Sequence, residues 1–198
     1  MRYFSADLEL EQPWSNHQTP DSLTPREEII SVGICVGDSD GNILCKKNIY
    51  IEYGLELSAF IKQLTGIKNE QLKRENGAMS ILEAWAEMVR LQKEFDTSRV
   101  ILEWGAGDFA TIKPLAETQS FSYDSPIFEN PFGRSGLNVK HLHRTWCEAN
   151  GVNSSGGLAK ALGRHGLGFK GQKHDAADDA YNTYRLYLHL MGKMKDKK

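Results

Sequence analysis

The sequence predicts an α/β domain: a mixed sheet, antiparallel in strands one to three and then parallel, flanked by helices. Three observations predict it. Strand patterns crowd the first fifty residues, and strands and helices then alternate. No repeat or domain linker divides the 198 residues. The composition, 40% hydrophobic and 25% charged, is that of an ordinary globular unit. A single domain of this size buries roughly 70% of the surface its unfolded chain exposes.

The elements follow in order. Residues 2–10 alternate, with Arg2, Phe4, Ala6, Leu8 and Leu10 on one side and Tyr3, Ser5, Asp7 and Glu9 on the other. This is the period of a half-buried strand. Residues 11–27 are polar and hold Pro13, Pro20 and Pro25, so they read as a loop. Ile29 to Val36 reads as a second strand, Asp38 to Asn42 as a turn, and Ile43 to Ile51 as a third strand that completes a hairpin. A short helix over 56–64 is stopped by Thr65-Gly66. Ala78 to Phe95 carries Ile81, Trp85, Met88 and Leu91 at helical spacing. Arg99 to Trp104 reads as a buried strand, followed by a tight turn at Gly105 to Asp108 and a helix over 109–118. A long loop, 119–136, holds Tyr123, Phe128 and Phe132. Helices are expected at 138–149, 155–165 and 176–192. The single domain then spans 1–192, with a Lys-rich tail at 193–198.

Charge and cysteine usage narrow the function classes. Lys and Arg number 24 against 26 Asp and Glu, a net charge of −2, which argues against coating nucleic acid by bulk charge. The balance is uneven, net −7 over 1–150 and +5 over 151–198. Cys35, Cys45 and Cys147 form neither a zinc motif nor a disulfide framework, so a reducing, cytoplasmic setting is expected. The longest apolar run, Ile29 to Val36, is too short to span a bilayer, and the early turn to acidic residues is unlike a secretory signal.

The acidic residues carry the most information. Asp7 and Glu9 share one strand face, about 6.6 Å apart. They repel there unless the face is solvated or a divalent cation compensates. Asp108 follows a buried-looking strand and suits either a helix cap or a site at a strand end. In the stretch His174-Asp175-Ala176-Ala177-Asp178-Asp179, Asp175 fits an N-cap and Asp178 the first turn. Asp179 shares the inward face with Ala176, Ala180, Thr183 and Leu186, so it needs an arginine or a metal as partner. His174 reads as a loop acid/base group. Its five-residue step from Asp179 places the two on different sides of an ideal helix, which argues against adjacent ligation of one metal.

This ordered set resembles the DEDDh 3′-to-5′ exonucleases of the DnaQ-like and ribonuclease T-like type. The resemblance rests on Asp7-x-Glu9, Trp104-Gly105-x-x-Asp108 and His174-x4-Asp179. It also rests on Glu28 to Gly33, Leu64-Thr65-Gly66-Ile67, and Leu158 to Leu162 ahead of Gly171-x-x-His174. It covers about residues 3–190 and is nearest to stand-alone exoribonucleases acting on small RNAs and RNA ends. It implies a ribonuclease H-like fold and two divalent cations, Mg²⁺ or Mn²⁺, held by Asp7, Glu9, Asp108 and Asp179, with Asp7 bridging. It implies His174 as the general base and nucleoside 5′-monophosphates as products. The implied partners are single-stranded RNA or DNA 3′ ends, with RNA preferred, and a homodimer. Leu10, Leu64 and Thr65 are the implied substrate contacts. Trp14, Phe109 and Phe132 are further stacking candidates by position alone. Two other readings stay open: a catalytically silent nucleic-acid-binding or protein-interaction module, and a structural domain whose acids are caps and surface charges.

Overall fold

The computed structural model describes residues 1–11, 28–105, 107–122 and 128–195. Of the expected loop over 11–27, Glu11 ends the first strand and residues 12–27, with the prolines and Trp14, lie outside them, as do Tyr123 and residues 196–198. Five strands form one sheet in the order β3-β2-β1-β4-β5. Their ranges are β1 Arg2–Glu11, β2 Glu28–Asp38, β3 Ile43–Tyr50, β4 Ile101–Glu103 and β5 Leu137–Asn138. The first three pair antiparallel, whereas β4 pairs parallel to β1 and β5 parallel to β4. The expected mixed sheet is therefore the observed one.

The helices are α1 Ala59–Thr65, α2 Ile81–Glu94, α3 Asp108–Ser122, α4 Val139–Ala149, α5 Leu158–Arg164 and α6 Ala176–Lys195. Ser80 opens α2 with a reciprocal cap, its side chain accepting from Glu83 N–H and Glu83 accepting from Ser80 N–H. That is why α2 begins later than its hydrophobic pattern. α1 stops at Gly66, whose φ of 76° is left-handed. α3 runs into the expected 119–136 loop, and α6 continues into the expected tail.

β1 departs from the half-buried expectation. Phe4, Ala6 and Leu8 pack with Trp85, Met88, Phe109, Ile112 and Phe132, the layer formed by α2, α3 and the segment before β5. The opposite face is covered too, because α6 lies across β1 and β2. β2 offers that helix Ser31, Gly33, Cys35 and Gly37, small residues at every second position. A Cβ on Gly33 would stand 1.9 Å from the Ala176 carbonyl carbon, and one on Gly37 would stand 2.4 Å from the Tyr184 ring. Only hydrogen at these places lets the helix sit so close. The consequence is that polar residues of β1 are taken from solvent, Ser5 and Glu9 buried and Asp7 half-buried.

Candidate active site

Three elements converge at one end of the sheet. In the β1–β2 ladder Asp7 lies opposite Gly33 and Glu9 opposite Ser31. Gly33 is the contact point for the first turn of α6, so that turn crosses beside Asp7. β4 runs parallel to β1, and the chain leaving it reaches Asp108 at the same sheet end. Asp179 projects from the first turn of α6.

The helix caps separate structural acids from the rest. Asp175 caps α6 as expected: Oδ1 accepts from Asp178 N–H at 2.9 Å and Oδ2 from the Asn48 amide at 2.7 Å. Asp178 is buried and accepts from Gln172 N–H at 2.8 Å and from the Lys46 ammonium. At α3 the capping acceptor is Glu103, not Asp108. Glu103 is buried and takes the Phe109 N–H at 3.1 Å. Among the described residues no helix N–H donates to Asp108, which leaves its carboxylate for another role. Glu103 was missed in the sequence, although an acid ending the apolar run Val100-Ile101-Leu102 was the signal for it.

His174 corrects an expectation. It stands before the helix with φ of 61°, a left-handed conformation that non-glycine residues seldom adopt. This turns the chain so that its N–H donates to Asp179 Oδ2 at 3.0 Å. Ligand atoms of Glu9, His174 and Asp179 lie within 4.8 Å of one another, a group able to reach one metal ion. The ideal-helix spacing argument fails because His174 is not on the helix.

The four acids are held where ionisation is costly. Burial pushes Glu9 up to about 8, helped by the charges of Asp179, Asp175 and Asp108. Burial, then Glu103, raises Asp108 to about 7. Burial raises Asp179 to about 6 against the opposing His174 N–H. Asp7 lies well above the usual carboxylate range, through burial and then Asp108, Asp179 and Glu9. Among the described residues no lysine or arginine forms an ion pair with any of the four. Clustered oxygen donors without a cationic side chain suit a hard divalent cation.

The expected substrate contacts fare unevenly. Leu10 and Leu64 are half-buried at the margins of apolar clusters. The Thr65 hydroxyl is committed to the α1 turn, donating to Ile61 O and accepting from Ile67 N–H. Phe109 and Phe132 are core residues, 3% and 2% exposed, so neither is free to stack on a base.

The sequence matches the exonuclease family of the ribonuclease T type over residues 16–187. The chain belongs to this exonuclease family. The match begins beyond Asp7 and Glu9, so these two rest on the geometry above. No curated protein matches at a significant level. Solved structures share the fold. A 3′-exonuclease described with a histone mRNA stem-loop superposes with TM-score 0.74 at 18% identity, over 97% of this chain and 64% of that one. The nuclease domain of 3′hExo, a DEDDh family member bound to rAMP, gives 0.71 at 18% identity, over 97% and 92%. E. coli exonuclease I with a dA16 oligonucleotide gives 0.61 at 13% identity, over 98% and 42%. This exonuclease-family chain thus spans less than two thirds of the first of these relatives.

Proposed function

We propose that the protein is a metal-dependent 3′-to-5′ exonuclease that hydrolyses the terminal phosphodiester of single-stranded nucleic acid, RNA preferred, and releases nucleoside 5′-monophosphates. The observation that carries the reading is the convergence of Asp7, Glu9, Asp108 and Asp179 without a cationic partner. RNA is supported by the family resemblance and by the 3′-exonuclease described with an mRNA stem-loop.

The donor set fits two Mg²⁺ or Mn²⁺ ions, with Asp7, Glu9, Asp108 and Asp179 as the residues that would hold them. Bound there, the ions supply charge stabilisation at the attacking and leaving oxygens and a water that is easier to deprotonate. The chain's own contribution is placement. Gly33 seats α6 so that Asp179 faces Asp7 and Glu9. The left-handed turn at His174 leaves an exposed imidazole beside Glu9 and Asp179. There it accepts the proton of the attacking water. Half-buried Leu10 and Leu64 contact the terminal nucleotide.

The test uses 5′-labelled RNA and DNA of one sequence, with Mn²⁺ or with EDTA, beside Asp179→Asn. A metal-dependent ladder that shortens from the 3′ end and vanishes in the variant is expected. Intact strands after incubation with folded, Mn²⁺-binding protein would overturn the reading in favour of a binding module.

A further inference from the structure

A small cavity adjoins the carboxylates on the β2–β3 side, with a volume of about 140 Å³. Its polar lining includes Ser31, Asn48, Tyr50, Gln71, Gln172 and Asp175. Most of these groups are already engaged. The Asn48 amide donates to Asp175 and its oxygen accepts from Ala177 N–H. The Gln172 amide donates to Thr65 O at 3.1 Å. Asp175 accepts from Asn48 and from Asp178 N–H. Tyr50 is hydrogen-bonded by Gln71. Ser31 differs. It is 1% exposed, and its Oγ has no hydrogen-bond partner among the described residues. A buried hydroxyl left unpaired is costly, so a water or a ligand group entering the cavity is needed to satisfy it.

The lining selects the chemistry of that group. It offers no free cation for a phosphate, and Asp175 would repel one. It offers no broad apolar wall for a base. A neutral hydroxyl fits. The location selects which one. Ser31 is paired with Glu9 across the β1–β2 ladder, on the same sheet face, and adjacent strands lie about 4.8 Å apart. Asp175, in the cavity wall, is close enough for its charge to act on Glu9. Ser31 and Asp175 thus place the cavity beside Glu9, next to the carboxylates at which the proposed reaction holds a phosphate.

We propose that Ser31 Oγ receives the 2′-hydroxyl of the 3′-terminal ribose and so sets the preference for RNA over DNA. This rests on the exonuclease reading. The 2′-hydroxyl is the group that separates the two nucleic acids at a site.

Three labelled strands that differ only in their last sugar test it: ribose, 2′-deoxyribose and 3′-deoxyribose. The native chain is expected to remove the ribo end about tenfold faster than the 2′-deoxy end, the scale of one hydrogen bond in a buried site. Ser31→Ala should bring that ratio to near one. Ser31→Thr, which keeps the hydroxyl and adds a methyl the cavity can hold, should retain it. A ratio unchanged in Ser31→Ala, or one that moves only with the 3′-deoxy strand, overturns the assignment. Binding of AMP against 2′-deoxy-AMP by the Mn²⁺-loaded protein separates the two claims. Uncut strands with an AMP preference that Ser31→Ala removes would sink the exonuclease reading and leave the Ser31 site standing. Equal affinities in the native protein would sink the Ser31 site.

Discussion

Two groups of carboxylates lie near the same sheet end and are treated differently by the fold. Glu11, Glu103, Asp175 and Asp178 are matched with donors: Ser58 N–H, Phe109 N–H, Asn48 with Asp178 N–H, and Gln172 N–H with Lys46. Asp7, Glu9 and Asp108 have no such donor among the described residues, and Asp179 has one. Depth alone does not sort them: Glu9 of the second group and Asp178 of the first are each 8% exposed, while Asp7, Asp108, Asp179 and Asp175 are half-buried. The first group holds backbone in place, and its loss weakens the fold. The second stores repulsion that protonation or an added cation relieves. A buried acid is thus informative when its donors are counted, not when its depth is.

The largest effect should come from the second group. Asp7→Asn or Asp179→Asn should lower strand cleavage by about 10³-fold, the upper scale for losing one preorganised electrostatic contact. Either change should also raise the melting temperature of the metal-free protein, since it removes a repelled charge. A drop in that temperature would break the distinction. Next, Asp178→Ala should destabilise by about 3 kcal/mol in urea titration, because the Gln172 N–H and Lys46 lose their acceptor. Gly33→Ala belongs at the same level, about 1–3 kcal/mol, since its methyl meets helix backbone that cannot rotate away.

A pH series sharpens the comparison further. The site acids titrate higher in the folded protein than in the unfolded chain. Their contribution to metal-free stability is therefore fully present below about pH 4 and is lost as pH rises through about 6, 7 and 8, the values for Asp179, Asp108 and Glu9. Thermal melts in EDTA should fall across that window. Mn²⁺ should reverse the trend and bind more tightly at pH 8 than at pH 6, because the ligands must shed protons first. Parallel curves with and without Mn²⁺ would refute this. The smallest effect is Ser80→Ala, about 1 kcal/mol of stability from the α2 cap, with Mn²⁺ affinity unchanged by titration.

Much of this was legible from residue patterns. The alternation in β1, the turn at Asp38–Asn42 and the αL stop at Gly66 are local, and local rules describe them. Asp179 stood out as a carboxylate on an inward helix face, whereas Asp7, Glu9 and Asp108 each had a plain structural reading and were singled out by the resemblance to the DEDDh exonucleases. What escaped depends on long-range packing. β1 looked half-buried because nothing local reveals that α6 covers it. His174 looked remote from Asp179 because a left-handed φ on histidine has no sequence signal. Asp108 was ambiguous as a cap until Glu103 was found to hold the α3 terminus. β5, two residues long, exists only because β4 offers it an edge.

The seating of α6 on Gly33 also bears on synthesis. Asp7 and Glu9 leave the ribosome about 170 residues before Asp179. Until that helix docks, the early carboxylates lack the late one. On the proposed activity, a chain made only as far as α5 lacks one of the four acids that would hold the metals, so cleavage is expected only after α6 has formed and docked.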